Sequence, residues 1–389
     1  MRLHTIVAIL LAPAVICAQA TYVVDLANGP GTNFREIAAA AATVPSGSTL
    51  RVRAGSYAPA TIDRKALTVL CDTGTSVAGL IVSNTAAGQA VVVRGLGVNG
   101  AVTISNALGL VHLDGNGATI VHWLPLMIFS SPQVSLRDYS VAALGSLFGS
   151  IACQVTDSTL VAENCVFAGG DGFPIPSQLC WGAAGAGILA RLSEVILSHC
   201  RVQGGNGGAA CGTTYPGAPA IDLDTSALRV VGSPGDLLAG GTNGAQQQSS
   251  LLGTGSARLD PRIPLTGTVP VGNGITWSAV TMADVRSTGA PPGGALAATW
   301  SGTAGNVIAI AVGFPGPPVH LPNLVDPIWI DLQHVHVVYA GTGPAAGLTV
   351  QVGVPNHPGL IGLAVLWQSA GLGVGSQLEV SNPSIAIVD

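Results

Sequence analysis

Three ionisable residues in the middle of the chain have the types that acid–base chemistry on a sugar requires: Arg137, Glu163 and Asp171. Arg137 and Glu163 each close a short apolar cassette, and the same place in other cassettes holds Arg53, Leu70, Arg94, Asp114 and Ser198. If successive cassettes stack as neighbouring strands, this column has the ~4.8 Å spacing of paired strands, and Arg94, Asp114, Arg137 and Glu163 alternate in sign. Such a row either presents an acid and a base to a substrate or is a surface ladder of opposite charges, each pair contributing ~0.2–1 kcal/mol. Alternation favours the ladder. Asp171 stands among glycines (Gly169-Gly170-Asp171-Gly172), where an aspartate ordinarily satisfies a turn. Trp181 and Tyr215 lie in two long insertions between cassettes, 173–187 and 209–220, expected to leave the same corner side by side. Aromatic faces of this kind stack on sugar rings or pack loops onto a core, and packing is the commoner use. Cys180 and Cys211 share those insertions and are the expected disulfide, whereas Cys165 and Cys200, equivalent in consecutive cassettes, are expected to stay reduced. Asp222-Leu223-Asp224 places two acids on one strand face, and His334-Val335-His336 places two imidazoles, too few ligands for a metal site.

The cassettes must position all of these groups. They read Leu50-Arg51-Val52-Arg53, Leu67-Thr68-Val69-Leu70, Val91-Val92-Val93-Arg94, Val111-His112-Leu113-Asp114, Val134-Ser135-Leu136-Arg137, Leu160-Val161-Ala162-Glu163 and Val195-Ile196-Leu197-Ser198, with a weaker copy at Leu228-Arg229-Val230-Val231. Each is an in-out-in strand too short to be stable alone, so the copies stack on one another. Three short strands and three turns per repeat fit the shorter spacings, and the longer ones imply loop insertions. Asn33-Phe34-Arg35-Glu36 opens an alanine-rich helix in a capping-box pattern, placed to cover the first coil. The glycines at 169–172 and 204–208 mark turns expected to need positive φ. After Arg262 the strands lengthen and are spaced by Pro/Gly turns, the pattern of an antiparallel β-sandwich.

Only 8% of the 389 residues are charged while 48% are hydrophobic, which excludes a disordered acidic chain. Lys65 is the sole lysine and the net charge is -5, so there is no basic face for nucleic acid. Arg2, the apolar run from Ile6 to Ile16 and Ala18-Gln19-Ala20 read as a secretory leader cut after Ala20. Ile16 is too bulky for a lipoprotein signal at Cys17, and no later run is long enough to span a membrane. An exported chain meets an oxidising compartment.

Phe34-Arg35-Glu36-Ile37, Leu50-Arg51-Val52-Arg53-Ala54-Gly55-Ser56-Tyr57 and Leu259-Asp260-Pro261-Arg262 resemble the pectin-lyase-like right-handed parallel β-helix family of secreted bacterial proteins. Val354 to Gly362 and Leu378-Glu379-Val380-Ser381-Asn382 resemble a C-terminal β-sandwich common on exported bacterial proteins. The resemblance implies an all-β chain: signal peptide 1–20, right-handed parallel β-helix 21–262 and sandwich 263–389. Hydrolases of that family carry clustered aspartates, and its lyases a calcium site with a basic residue. This sequence has no Asp-Asp pair and no motif for calcium, so no cofactor is expected. The expectation is a secreted or cell-surface, non-catalytic protein that binds polysaccharide or envelope material. The alternatives are a polysaccharide lyase or glycoside hydrolase using Arg137, Glu163 or Asp171, and a structural spacer or adhesin.

Overall fold

A computed structural model describes residues 20–145, 149–172, 184–210, 213–233, 235–244, 246–267, 271–272, 274–322, 324, 326–372 and 378–389. The chain forms two compact units, a solenoid over Thr21–Val280 and a second unit containing Thr281–Asp389.

The solenoid is a parallel β-helix. One coil runs from a cassette strand, Ser48–Val52, through a second strand, Gly55–Tyr57, and a third, Ala60–Asp63, to the next cassette, Leu67–Cys71. Each strand pairs in parallel with its counterpart one coil on, which gives a cassette ladder, a second ladder and a third ladder. Inward positions carry the apolar residues: Leu50, Val69, Val93, Leu113, Leu136, Ala162, Leu197 and Val230 form one buried column along the cassette ladder. No coil can bury its own apolar face, so the core exists only as a stack.

The helix spans Ile37–Thr43, packs against Ala60–Asp63 and covers the start of the third ladder. The expected capping box does not form. Asn33 Oδ1 accepts from Val23 N, and Glu36 Oε2 accepts from Ala58 N, so Asn33 ties the segment before the helix to the first strand and Glu36 reaches the next coil instead. The other end is closed by Lys65, whose Nζ donates to the carbonyls of Ala41 (2.6 Å) and Val44 (2.9 Å). The one lysine of the chain satisfies C-terminal carbonyls that the helix cannot pair for itself.

Ile275–Ala279, expected as the first sandwich strand, instead pairs in parallel with Leu251–Leu259 and extends the solenoid beyond 262. In the second unit, Asp284–Thr288, Ala295–Ser301 and Leu348–Gly353 form one antiparallel sheet. His336–Thr342, Val307–Gly313, Ala364–Leu372, Leu378–Val380 and Ser384–Ile387 form another. Trp300, Ile310 and Trp367 fill the core between them. Asn382 accepts from Val285 N and donates to Val285 O, joining the two sheets at a buried point.

Candidate functional site

The charged column forms with one change of register. Arg51, not Arg53, pairs with Leu70, and Arg53 reaches Asp25 Oδ2 at 2.7 Å. From Leu70 onward Arg94, Asp114, Arg137, Glu163 and Ser198 are cross-strand neighbours. Arg94 lies 3.5 Å from Asp114, and Arg137 lies 3.4 Å from Asp138 and 4.0 Å from Glu163. The column is not a solvated surface, because the Arg137 and Glu163 side chains are only 16% and 8% exposed. Burial works against the Arg137 charge, but Glu163, Asp114 and Asp138 outweigh it and raise its pKa. In the parallel outward column, His112 is buried with Nδ1 3.1 Å from Ser135 Oγ. Burial, with Arg137 and Arg94 adding like charge, drops its pKa to about 3. A neutral imidazole between two guanidiniums and a fully paired Arg–Glu row is a structural network: removing one member leaves a buried charge unpaired.

The corner between second and third ladders holds the long insertions. Between the paired positions Val98/Ile120 and Val102/Leu126 the chain runs Asn99, Gly100, Ala101 in one coil and Val121, His122, Trp123, Leu124, Pro125 in the next. At the same corner the following coils use residues 142–152, 168–187, 203–220 and 239–250. The described limbs of these insertions interleave. Gly170 N donates to Ser150 O, Gly185 N to Gly170 O, Gly205 N to Gly185 O, Ala218 N to Gly205 O and Gly241 N to Ala218 O, each at 2.8 or 2.9 Å. A Cβ on Gly170, Gly185, Gly205 or Gly241 would fall less than 3.0 Å from the backbone of a neighbouring limb. None of Gly169, Gly170, Gly204 or Gly205 has a positive φ, so the expected reason for these glycines is replaced by close backbone approach.

Asp171 Oδ1 accepts from Asn206 N (2.6 Å), and Asn206 Oδ1 accepts in turn from Thr242 N (3.0 Å). That is the turn-satisfying role, and it places Asp171 on a different corner from the Arg137–Glu163 pair. Tyr215 is half-buried in the returning limb, its N donating to Gly208 O. Trp181, Cys180 and Cys211 lie outside the described residues, and the four described cysteines, Cys71, Cys153, Cys165 and Cys200, are free thiols. Burial pushes the Cys153 and Cys165 thiols up, away from nucleophilic character. Among the described residues no cluster of histidine, cysteine and carboxylate could hold a metal. His334 precedes its strand rather than lying on it beside His336, and its Nδ1 meets Asp331 Oδ2 at 2.7 Å.

The corner between third and cassette ladders forms a shallow, open groove of about 770 Å³ lined by Asp157, Thr159, Leu192, Glu194, Thr254 and Ser256 among others. A serine ladder builds its floor. Ser131, Ser158, Ser193 and Ser226 each donate a hydroxyl to the carbonyl two residues back. The Ser158, Ser193 and Ser226 hydroxyls also accept from the N–H of the equivalent serine one coil earlier, at 3.0, 3.2 and 3.1 Å. The preceding residue turns the corner in the left-handed region: Asn84, Asn106, Ser130, Asp157, Leu192 and Thr225 all have φ near +50°. Asparagine and aspartate tolerate this conformation, and leucine does not. Leu192 is both strained and 66% exposed on the groove, the local conflict that functional positions carry. Neither the ladder nor the groove is marked by a motif. The available signal was a serine two residues before an inward cassette residue, as in Ser158 before Leu160.

Comparison with protein-family models, with curated proteins and with solved structures finds no match to this chain.

Proposed function

We propose that this is a secreted or cell-surface protein whose β-helix holds a polysaccharide without cleaving it, on a scaffold of the pectin-lyase-like kind. The observation that carries the reading is the open concavity at this corner, which presents Thr159, then Glu194, then Thr225, then Thr254 with Ser256 on successive coils. A linear glycan offers hydroxyls at intervals, and the solenoid offers polar side chains on coils stacked at the ~4.8 Å spacing of paired strands. Supporting it, Arg137, Glu163 and Asp171 are all engaged in holding the fold.

A hydrolase reading keeps one specific support. Asp157 and Glu194 line the same groove from neighbouring coils, and two carboxylates flanking one bond are what glycoside hydrolysis requires. The test is a panel of soluble oligosaccharides and polysaccharides, scored for binding and for new reducing or unsaturated ends. Binding without product that is lost in Ser256→Trp supports the holding function. Product formation abolished in Asp157→Asn or Glu194→Gln replaces it with hydrolysis. No binding by the intact protein leaves the spacer reading.

A further inference from the structure

The corner between the second and third ladders carries a second surface that the groove does not use. Trp123 is 55% exposed and Leu144, one coil on, 45% exposed. Leu144 N donates to His122 O at 2.9 Å, which continues the Ala143–His122 pairing and sets Leu144 and Trp123 at equivalent positions of adjacent coils. The exposure has a plain cause. The coil of Trp123 places five residues, Val121 to Pro125, where the coil before it places only Asn99, Gly100 and Ala101. The excess is pushed outward, and what it carries is an indole and Leu124 rather than the glycine, asparagine or serine that a solvated turn selects.

Beside Trp123 the outer face of the second ladder is flat and uncharged. One outward column runs Thr119, Ser140, Val166 and the next runs Val121, Ala142, Ala168. All six are at least partly exposed, and none has a side chain longer than valine. The first charge enters only at Arg201, one coil beyond Val166. An exposed aromatic at the edge of a rigid, neutral plane has large contact area and little side-chain entropy to lose on binding.

We propose that Trp123, Leu144 and the strip of Val121, Ala142 and Ala168 form a planar binding surface for the face of an insoluble, uncharged polysaccharide. A flat plane cannot enclose a single soluble chain, but it matches the plane of packed chains, whose axial C–H faces meet the indole and the alanine and valine methyl groups. Absence of charge on the strip disfavours anionic polymers, and its hydroxyls at Thr119 and Ser140 meet those of the sugar. This rests on the polysaccharide-holding reading but uses a different face from the groove.

The experiment is a pelleting assay of the full protein with cellulose powder and with chitin powder. The expected result is a partition constant about tenfold lower for Trp123→Ala (about 1.4 kcal/mol), an equal or larger loss for Ala142→Asp, and no change for Ser256→Trp. Circular dichroism confirms that each variant is folded. Failure of the intact protein to pellet with either powder overturns the proposal, as does equal pelleting by Trp123→Ala and Ala142→Asp. A fall in solution mass caused by Trp123→Ala, with pelleting unchanged, assigns the surface to a second copy of the chain. Soluble-glycan binding without pelleting removes this inference alone, and pelleting without soluble-glycan binding removes the groove alone.

Discussion

His112 shows how a single side chain can set the pH response of the solenoid. Its imidazole is buried and neutral, facing Ser135 with Arg94 and Arg137 on either side and Asp114 and Asp138 close by. Its pKa in the folded state is about 3 against an ordinary 6.5, so the unfolded chain binds the proton more readily. Stability from this group is therefore complete above about 6.5 and is lost as pH falls toward 3. Replacing His112 by valine, the residue its neighbour Val92 already supplies in that column, is expected to flatten the fall of Tm between pH 7 and 4. An unchanged slope in thermal melts would assign that acid sensitivity to the carboxylates instead. Lys65 is a second residue whose role is local. Lys65→Met keeps the aliphatic stem and removes the donor to Ala41 and Val44. The expected cost is ~1–2 kcal/mol, read as a lower urea midpoint with m unchanged.

The corners, more than the strands, differ in what they demand of sequence. At the serine corner, Ser193→Ala leaves Ser158 N–H buried without its acceptor, a loss of ~1–3 kcal/mol that urea denaturation will show. Leu192→Asn at the same corner goes the other way. Asparagine suits φ +48°, and release of strain of order ~1 kcal/mol is expected to raise Tm. If glycan binding to the groove falls at the same time, Leu192 is kept for contact rather than for folding. At the insertion corner the constraint is space. Gly205→Ala puts a methyl into the backbone of Gly170, so amide exchange is expected to rise at Gly170, Gly185, Gly205 and Ala218 while the cassette ladder keeps its protection. Uniform loss of protection would mean that the insertions and the ladders open as one unit.

At the scale of the whole molecule, the two units carry different reporters. Trp300, Trp329 and Trp367 are buried in the second unit, whereas the described solenoid tryptophans Trp123 and Trp277 are exposed. The blue-shifted emission lost on unfolding thus reports on the buried tryptophans of the second unit, and far-ultraviolet dichroism is weighted to the longer solenoid. Their urea midpoints are expected not to coincide, and coincident midpoints would make the chain one cooperative unit. The period-two cassettes, the cap helix and the lengthening strands after Arg262 were all readable in the chain, because alternation and turn residues act over a few positions. So was the charged column from Leu70 onward, down to Arg137 beside Glu163, but not its first member, since Arg51 rather than Arg53 pairs with Leu70. Its burial, the serine ladder and the Trp123 surface were not readable, and neither was the place of Ile275–Ala279 in the solenoid. What the sequence determined by itself is that the chain must stack short strands to bury its apolar positions. Which side chains then meet was left to the tertiary structure. His112 finds Ser135 across 23 residues, Ser158 finds Ser193 across 35, and Trp123 stands exposed on a corner longer than the one before it. Register and corner length become definite only when one coil is laid on another, so the contacts that bear on function are properties of the stack.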